Sequence, residues 1–186
     1  DFTLATNVID AKVRRGTRNF AKKPAMTPEE CQLAITRGRN LIKENPSQLI
    51  AVGEMGIGNS TSATAISCAL LNIPVGEAVG IGTGVGNKTI LRKSSIIEEA
   101  LNKYQDLCTT PEAILEIFGG YEIAGLVGIL LEAAERSIPV VLDGFITGAA
   151  ALTAVRMNPS VRQVLIAGTQ SSEPCHSIIL EELNLQ

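Results

Sequence analysis

The stretch Leu49-Ile50-Ala51-Val52-Gly53-Glu54-Met55-Gly56-Ile57-Gly58-Asn59-Ser60-Thr61-Ser62 decides the fold. It opens with a short apolar run bounded by turn residues, which reads as a buried parallel strand rather than a helix. Glycines then lead into a hydroxyl-rich start of a helix expected from about Ser60 to Asn72. The pattern repeats along the chain: Gly76 to Thr83 reads as a second strand, Ile138-Pro139-Val140-Val141-Leu142 as a third and Gln163 to Ala167 as a fourth. Strands interleaved with helices require right-handed crossovers. The fold class that follows is α/β, a Rossmann-like parallel sheet with helices on both faces.

The helices are read from caps and periodicity. Thr27 followed by Pro28 and Glu30 has the form of a capping box with proline in the first turn, and starts a helix to about Asn45, stopped by Pro46. Its expected apolar stripe is Leu33, Ala34, Arg37, Leu41 and Ile42. Further helices are expected over Lys88 to Tyr104, with Ile90, Leu91, Ile97 and Leu101 inward, and over Pro111 to Phe118, Glu122 to Arg136 and Thr147 to Met157. Residues 1–26 lack periodicity and form an extended lead-in, of which Asn19 to Met26 needs a partner surface to be ordered. Residues 27–186 make the α/β domain.

Composition narrows the partners. The 186 residues are 45% hydrophobic but only 3% aromatic, without Trp, so the core is built from Ala, Ile, Leu and Val. With 16 basic and 19 acidic residues and a net charge of −3, the chain carries no footprint for nucleic acid. The cluster Lys12, Arg14, Arg15, Arg18, Lys22, Lys23 is expected to be a solvated segment. Cys31, Cys68, Cys108 and Cys175 are widely spaced, which fits reduced thiols in a cytoplasm and neither zinc nor a redox pair. The longest apolar runs fall short of the roughly 20 residues that cross a bilayer, so no membrane association and no signal peptide is expected.

Candidate chemistry collects at strand ends, where α/β sheets bind ligands. Gly56, Ile57, Gly58, Asn59, Ser60 and Thr61 combine close backbone approach with the free amides of a helix start, a natural guest for which is a phosphate. A tight turn capped by Ser60 is the alternative reading. Gly82, Thr83 and Gly84 form a second glycine-rich turn with Lys93 one turn into the next helix, able to meet an anion, or else a plain solvent loop. Asp143 and Gly144 follow the third strand, and an acid there suits a sugar hydroxyl. Ser171 and Ser172 follow the fourth strand and either join the site or cap the last helix, the safer assignment for Ser172. His176, the only histidine, has no triad partners and reads as a polar surface or helix residue rather than a base.

In order along the chain, Ile9-Asp10-Ala11-Lys12-Val13, Gly16-Thr17-Arg18-Asn19-Phe20, Pro24-Ala25-Met26-Thr27, Gly53 to Thr61, Gly82-Thr83-Gly84, Gly120-Tyr121-Glu122-Ile123-Ala124, Pro139 to Ile146 and Ser172-Glu173-Pro174 resemble the nicotinate mononucleotide:5,6-dimethylbenzimidazole phosphoribosyltransferase family of cobalamin biosynthesis. The Gly-Glu-Met-Gly-Ile-Gly-Asn stretch is the most specific of these. The resemblance implies transfer of phosphoribose from nicotinate mononucleotide to dimethylbenzimidazole, giving α-ribazole 5′-phosphate and nicotinate, by a homodimer without a cofactor. It implies that the amides of Gly56 to Thr61 hold the 5′-phosphate, that Lys93 approaches an anionic group, that Ser171 lines the pocket and that Glu54 and Asp143 face the ribose.

The resemblance also implies a protein about twice this length, a scale the family supplies and no general domain-size rule does. In it the general base is the glutamate of a Gly-Glu-Gly type motif after Gln186, and much of the benzimidazole pocket comes from outside residues 1–186. No catalytic residue is therefore expected in this chain, with Glu54 as a weak candidate. Thr169 stands where many members have His. The alternative function is a non-catalytic nucleotide- or phosphate-binding domain derived from the same family.

Overall fold

A computed structural model describes residues 8–79 and 87–185. Three parallel strands, β1 (Ile50–Val52), β2 (Val140–Leu142) and β3 (Leu165–Ala167), lie in the order β1-β2-β3. Ile50 pairs with Val140 and Val140 with Leu165, so all three carboxyl ends reach the same edge. Val140 and Leu142 of the central strand are buried. The ladder continues past the strands, where the Asp143 amide donates to the Val52 carbonyl at 3.1 Å and the Gly168 amide to the Leu142 carbonyl at 2.8 Å.

Around the sheet run α1 (Pro28–Glu44), α2 (Ser60–Leu71), α3 (Val75–Val79), α4 (Asn87–Lys103), α5 (Pro111–Phe118), α6 (Tyr121–Glu135), α7 (Phe145–Met157) and α8 (Pro174–Glu182). The capping box that starts α1 is complete: the Glu30 amide donates to Thr27 Oγ1 at 3.2 Å and the Thr27 amide to Glu30 Oε2 at 2.9 Å. The face of α1 that is buried runs through Cys31, Ala34, Ile35, Gly38 and Ile42. Ala34 and Ile42 are buried as expected, but the stripe is corrected at Leu33, which is exposed, while Cys31, Ile35 and Gly38 join the contact. In α4, likewise, Ile97 and Ala100 are buried while Leu91 is exposed.

The expected strand at Gly76 to Thr83 is also corrected. Its described part belongs to α3, in which Val75 and Ala78, three apart, are the buried residues. Pro74 sets this turn, its carbonyl accepting from the Glu77 and Ala78 amides, and a short apolar run does not by itself distinguish strand from helix. Residues 80–86 lie outside the described residues. Gln163 and Val164 also fall outside β3, in a 3₁₀ turn over Pro159–Val164.

The lead-in finds the partner surface that it needs. The amides of Ala25 and Met26 donate to the carbonyls of Ile117 and Glu116 at the end of α5, both at 2.9 Å. Phe20 is buried edge-on against Phe118, ring centroids 5.6 Å apart. The basic cluster is more than a solvated segment, since Arg14 and Arg18 both pair with Glu30. Arg18, the Thr27 amide and Arg14 hold the Glu30 carboxyl down at about 2, against the opposing effect of burial.

Helix α6 packs on α1 with almost no side chain between them. A Cβ on Gly128 would lie 2.0 Å from the Ile35 carbonyl oxygen, and one on Gly38 would lie 2.0 Å from that of Gly125. Beyond this contact Glu132, nearly buried, gathers Arg136 at 2.8 Å, Arg39 at 3.2 Å and Lys43 at 3.5 Å. Burial acts to raise its carboxyl, but the Arg136 and Arg39 hydrogen bonds and the Lys43 charge win and lower it. The thiols of Cys31 and Cys68 are pushed up to about 12 by burial, and the four cysteines are free.

Two outcomes test these contacts. Gly128→Ala should lower the unfolding free energy in urea by about 1 to 3 kcal/mol, the range for overpacking. Gly125→Ala should be tolerated, because its Cβ would meet no more than the Ala34 carbonyl oxygen at 3.9 Å. The Glu30 contribution is fully present above the unfolded carboxyl range near 4.5 and is lost as pH falls toward about 2. The urea midpoint should therefore drop less between pH 6 and pH 3 in Glu30→Gln than in the parent chain, roughly pH 6 lying above that window and pH 3 within it, where part of the contribution is already lost.

Candidate functional site

At the carboxyl edge of the sheet a cleft of about 190 Å³ opens between the loop after β1 and the loops after β2 and β3. Glu54, Gly56 and Ser60 line one side, and Asp143, Gly144 and Ser171 the other, so six of the residues singled out in the sequence meet here. Lys93 of α4 reaches the rim, its Nζ 3.5 Å from Ser60 Oγ. Ile57, Gly58, Asn59, Thr61 and Ser172 do not line the cleft, and Gly82, Thr83 and Gly84 lie outside the described residues.

Local geometry of the first loop follows from its glycines. Gly56 and Gly58 have φ of +74° and +85°, a region that side-chain-bearing residues avoid, and no atom stands within 4 Å of where their Cβ would be. Dihedral need, rather than crowding, fixes glycine at both positions. Met55 and Ile57 between them are strongly exposed. The Gly56 amide donates to Glu54 Oε2, so one amide of the turn is already engaged by the loop's own carboxylate.

Helix α2 begins without a side-chain cap. Its N-cap is Asn59 and not Ser60, and the Asn59 side chain turns away, donating from Nδ2 to Glu122 Oε1 at 3.2 Å. Asn59 is 7% exposed, and its Oδ1 has no hydrogen-bond partner among the described residues. The first amides of α2 thus lack the side-chain acceptor that usually satisfies them. The same holds for α7, whose N-cap Gly144 has none to offer, and its first turn, Phe145, Ile146 and Thr147, lines the cleft. Two helix N-termini therefore converge on one opening, each with a partial positive charge.

Carboxylates stand with them. Asp143 and Glu54 lie across from each other at the ends of β2 and β1, and Glu173 joins them from the segment before α8. Thr169 is fixed to the same edge, its hydroxyl donating to the Asp143 carbonyl at 2.6 Å. Beside the cleft, and sharing Glu54 with it, lies a groove of about 450 Å³ walled by Val13, Leu41, Leu126 and Ile129. Among the described residues no group of three or more His, Cys, Asp or Glu is arranged to hold a metal, and no helix is long and apolar enough to cross a membrane.

The last segment corrects the expected cap and decides between the two places expected for the histidine. Ser172 does not cap α8: the N-cap is Glu173, and no side chain bonds there. His176 is not on the surface but almost fully buried in α8, where its Nδ1 accepts from the Ser171 amide at 3.0 Å. Burial lowers its pKa, against the opposing pull of Asp143. Glu173, which the sequence reading places at a strand end, lines the cleft, whereas that reading gave no site role to Glu122, Ile146 or Thr147. Phe145 and Ile146 carried a signal in the Asp143-Gly144 break just ahead of them, but Glu122 had none, since its role depends on the position of Asn59, 63 residues earlier.

Comparisons with known proteins show the family and the fold. A family model described as "Phosphoribosyltransferase" matches residues 1–186. The nicotinate-nucleotide--dimethylbenzimidazole phosphoribosyltransferase of Desulforamulus reducens is 43% identical over 185 residues, covering 97% of this chain and 52% of the relative. That of Halalkalibacterium halodurans is 44% identical over 181 residues, covering 96% and 51%. The crystal structure of CobT from Thermus thermophilus superposes with a TM-score of 0.91 at 40% identity, over 100% of this chain and 56% of that one. The chain spans about half the length of the curated relatives it matches. With its whole length matched by the family model and its fold shared with CobT, this chain belongs to the phosphoribosyltransferase family, and the nicotinate-nucleotide--dimethylbenzimidazole enzymes are the relatives it is similar to.

Proposed function

We propose that this chain is the nucleotide-binding part of an enzyme that moves the phosphoribosyl group of nicotinate mononucleotide to 5,6-dimethylbenzimidazole, releasing nicotinate and forming α-ribazole 5′-phosphate. The observation that carries the reading is the pair of uncapped helix starts, at Asn59 and Gly144, opening on a cleft that also holds three carboxylates. Amide donors and Lys93 suit the 5′-phosphate, for which the Gly56 to Thr61 segment supplies the cradle. Binding there requires the Gly56 amide to leave or share Glu54. Gly82, Thr83 and Gly84 keep their sequence assignment as a second phosphate-side turn, and Ser172 stays beside Ser171 as a polar neighbour of the ribose.

Loss of nicotinate from the anomeric carbon builds positive charge on the ribose. Glu54 and Asp143, after the neighbouring carboxyl ends of β1 and β2, would stabilise it, and Ser171 would hold a hydroxyl. The apolar groove that meets the cleft at Glu54 offers a wall for a flat acceptor base. Residues 1–26 act as the lead-in and 27–186 as the nucleotide-binding domain of a cytoplasmic homodimer. A second reading, nucleotide binding without transfer, is favoured by one observation: Glu54, the weak candidate for a base in this chain, already accepts from the Gly56 amide.

Isothermal titration of residues 1–186 with nicotinate mononucleotide should give saturable binding, and its absence would refute the reading. Lys93→Ala should weaken that binding by about 1 to 3 kcal/mol, the range for a hydrogen bond to a charged group. An affinity unchanged by this variant at low and high salt alike would exclude the contact. With dimethylbenzimidazole added, α-ribazole 5′-phosphate should form slowly, because the base that the family resemblance assigns is not among these residues. A missing positioned base typically costs about 10² to 10⁴ in rate. Turnover abolished by Glu54→Gln would instead place the base at Glu54.

A further inference from the structure

We propose that His176, which does not line the cleft, is a positioning residue whose neutral imidazole holds the segment before α8 so that Ser171 faces the nucleotide, and whose protonation releases that segment. The nucleotide part of this statement rests on the proposed function above. His176 is the third residue of α8 and reaches back five residues, its Nδ1 accepting from the Ser171 amide at 3.0 Å. A glutamate at the same helical position reaches back in a similar way in a capping box, and here the task falls to the one histidine of the chain. Ser171 in turn lines the cleft, and its Oγ accepts from the Glu173 amide at 3.4 Å, so Glu173, another lining residue, is tied to the same point.

The imidazole has little freedom. It is 1% exposed, and a Cβ on Gly148 of α7 would lie 3.1 Å from its Cδ2 and 3.3 Å from its Nε2. The ring therefore lies close against the helix whose first turn forms the cleft wall. An Nδ1 that accepts leaves the proton of the neutral ring on Nε2. A second proton, taken from solvent, goes to Nδ1 and sets two N–H groups against each other, ending the hydrogen bond to Ser171.

Few charges bear on this equilibrium. Asp143, at the end of β2, favours the protonated ring, but burial outweighs it and lowers the pKa. From α7 the ring meets uncharged Gly148, while Arg156, the only charged residue of that helix, pairs with Glu182 at the far end of α8. Helix α2 brings the thiol of Cys68 beside Cys175, raised to about 12 and so uncharged. Glu77, the single titratable residue of α3, is exposed. Glu173 stands in the segment itself, its carbonyl accepting from the His176 amide at 2.9 Å. Since the neutral ring is favoured in the folded chain, its hold is complete above the ordinary imidazole range near 6.5 and is lost as pH falls through the lowered value.

The test uses the full 186-residue chain, His176→Asn, whose Oδ1 takes the place of Nδ1 and does not titrate, and His176→Gln, whose polar atoms extend past it. Two quantities are followed against pH: the protection factor of the Ser171 amide by NMR hydrogen exchange, without ligand, and the affinity for nicotinate mononucleotide. In the parent chain both should fall together on acidification. In His176→Asn protection should stay level, and the affinity should change only as far as the phosphate's own titration dictates. His176→Gln should bind about 10-fold more weakly at neutral pH, as expected for one lost acceptor on a part-buried amide. Should His176→Gln fail to fold, the parent and His176→Asn profiles decide alone. Identical pH profiles in those two proteins, or a folded His176→Gln with Ser171 still protected, would overturn the proposal. Protection that follows pH in the parent and not in His176→Asn, with no nucleotide bound by either, would uphold the coupling of imidazole to segment and overturn the nucleotide reading instead.

Discussion

Helices α1 and α6 approach so closely that the Gly128 backbone lies against the Ile35 carbonyl, and the position of the cleft depends on this contact. At the start of α6, Glu122 holds the Asn59 side chain and so determines how the loop after β1 enters α2. At its end, Ser137 adopts a left-handed conformation (φ 56°), and the Ile138 amide donates to the Ala133 carbonyl at 2.9 Å, a closure that delivers the chain into β2. β2 then sets Asp143 in register beside β1. A single helix, clamped through its glycines, thus fixes both walls of the cleft.

The charged groups divide between the two ends of this helix. At its C-terminal end a nearly buried carboxylate, Glu132, is surrounded by Arg39, Lys43 and Arg136, and its charge is compensated. Removing one partner of such a group leaves a buried charge behind, which fixes the arrangement more strongly than its net energy suggests. At the sheet edge the opposite holds. Glu54, Asp143 and Glu173 line an opening with no arginine among its lining residues and with Lys93 at its rim.

Much of this was legible in the sequence, and the failures share a cause. The capping box at Thr27 and Glu30, the Pro111 helix start and the strands around Val52 and Leu142 rest on signals a few residues long, and each stands where local chemistry puts it. The strand expected at Gly76 depended on an apolar run too short to separate the two periods, and Pro74 turned its first residues into helix. Leu33 was misplaced because the buried face turns through Gly38, which carries no side chain to mark it. Glu54, Ser60, Asp143 and Ser171 were found together because strand ends gather ligands. Glu122 and His176 were not, since their partners are set by tertiary contact: Asn59 across two elements, and Ser171 across a turn whose shape no residue pattern specifies.

Asn59 leaves the start of α2 without a side-chain cap. Asparagine at an N-cap ordinarily bonds the helix amides below it, which stabilises the helix by about 1 kcal/mol. Here that stabilisation is forgone, with the side chain given to Glu122 and its own Oδ1 left buried without a partner among the described residues. The arrangement costs the ligand-free fold both a cap and an acceptor. What it leaves is a helix start at Ser60 whose amides no side chain caps, on a cleft whose other wall is also an uncapped helix start. A side-chain cap would have occupied those donors permanently, whereas the phosphate of the proposed nucleotide would satisfy them only while bound.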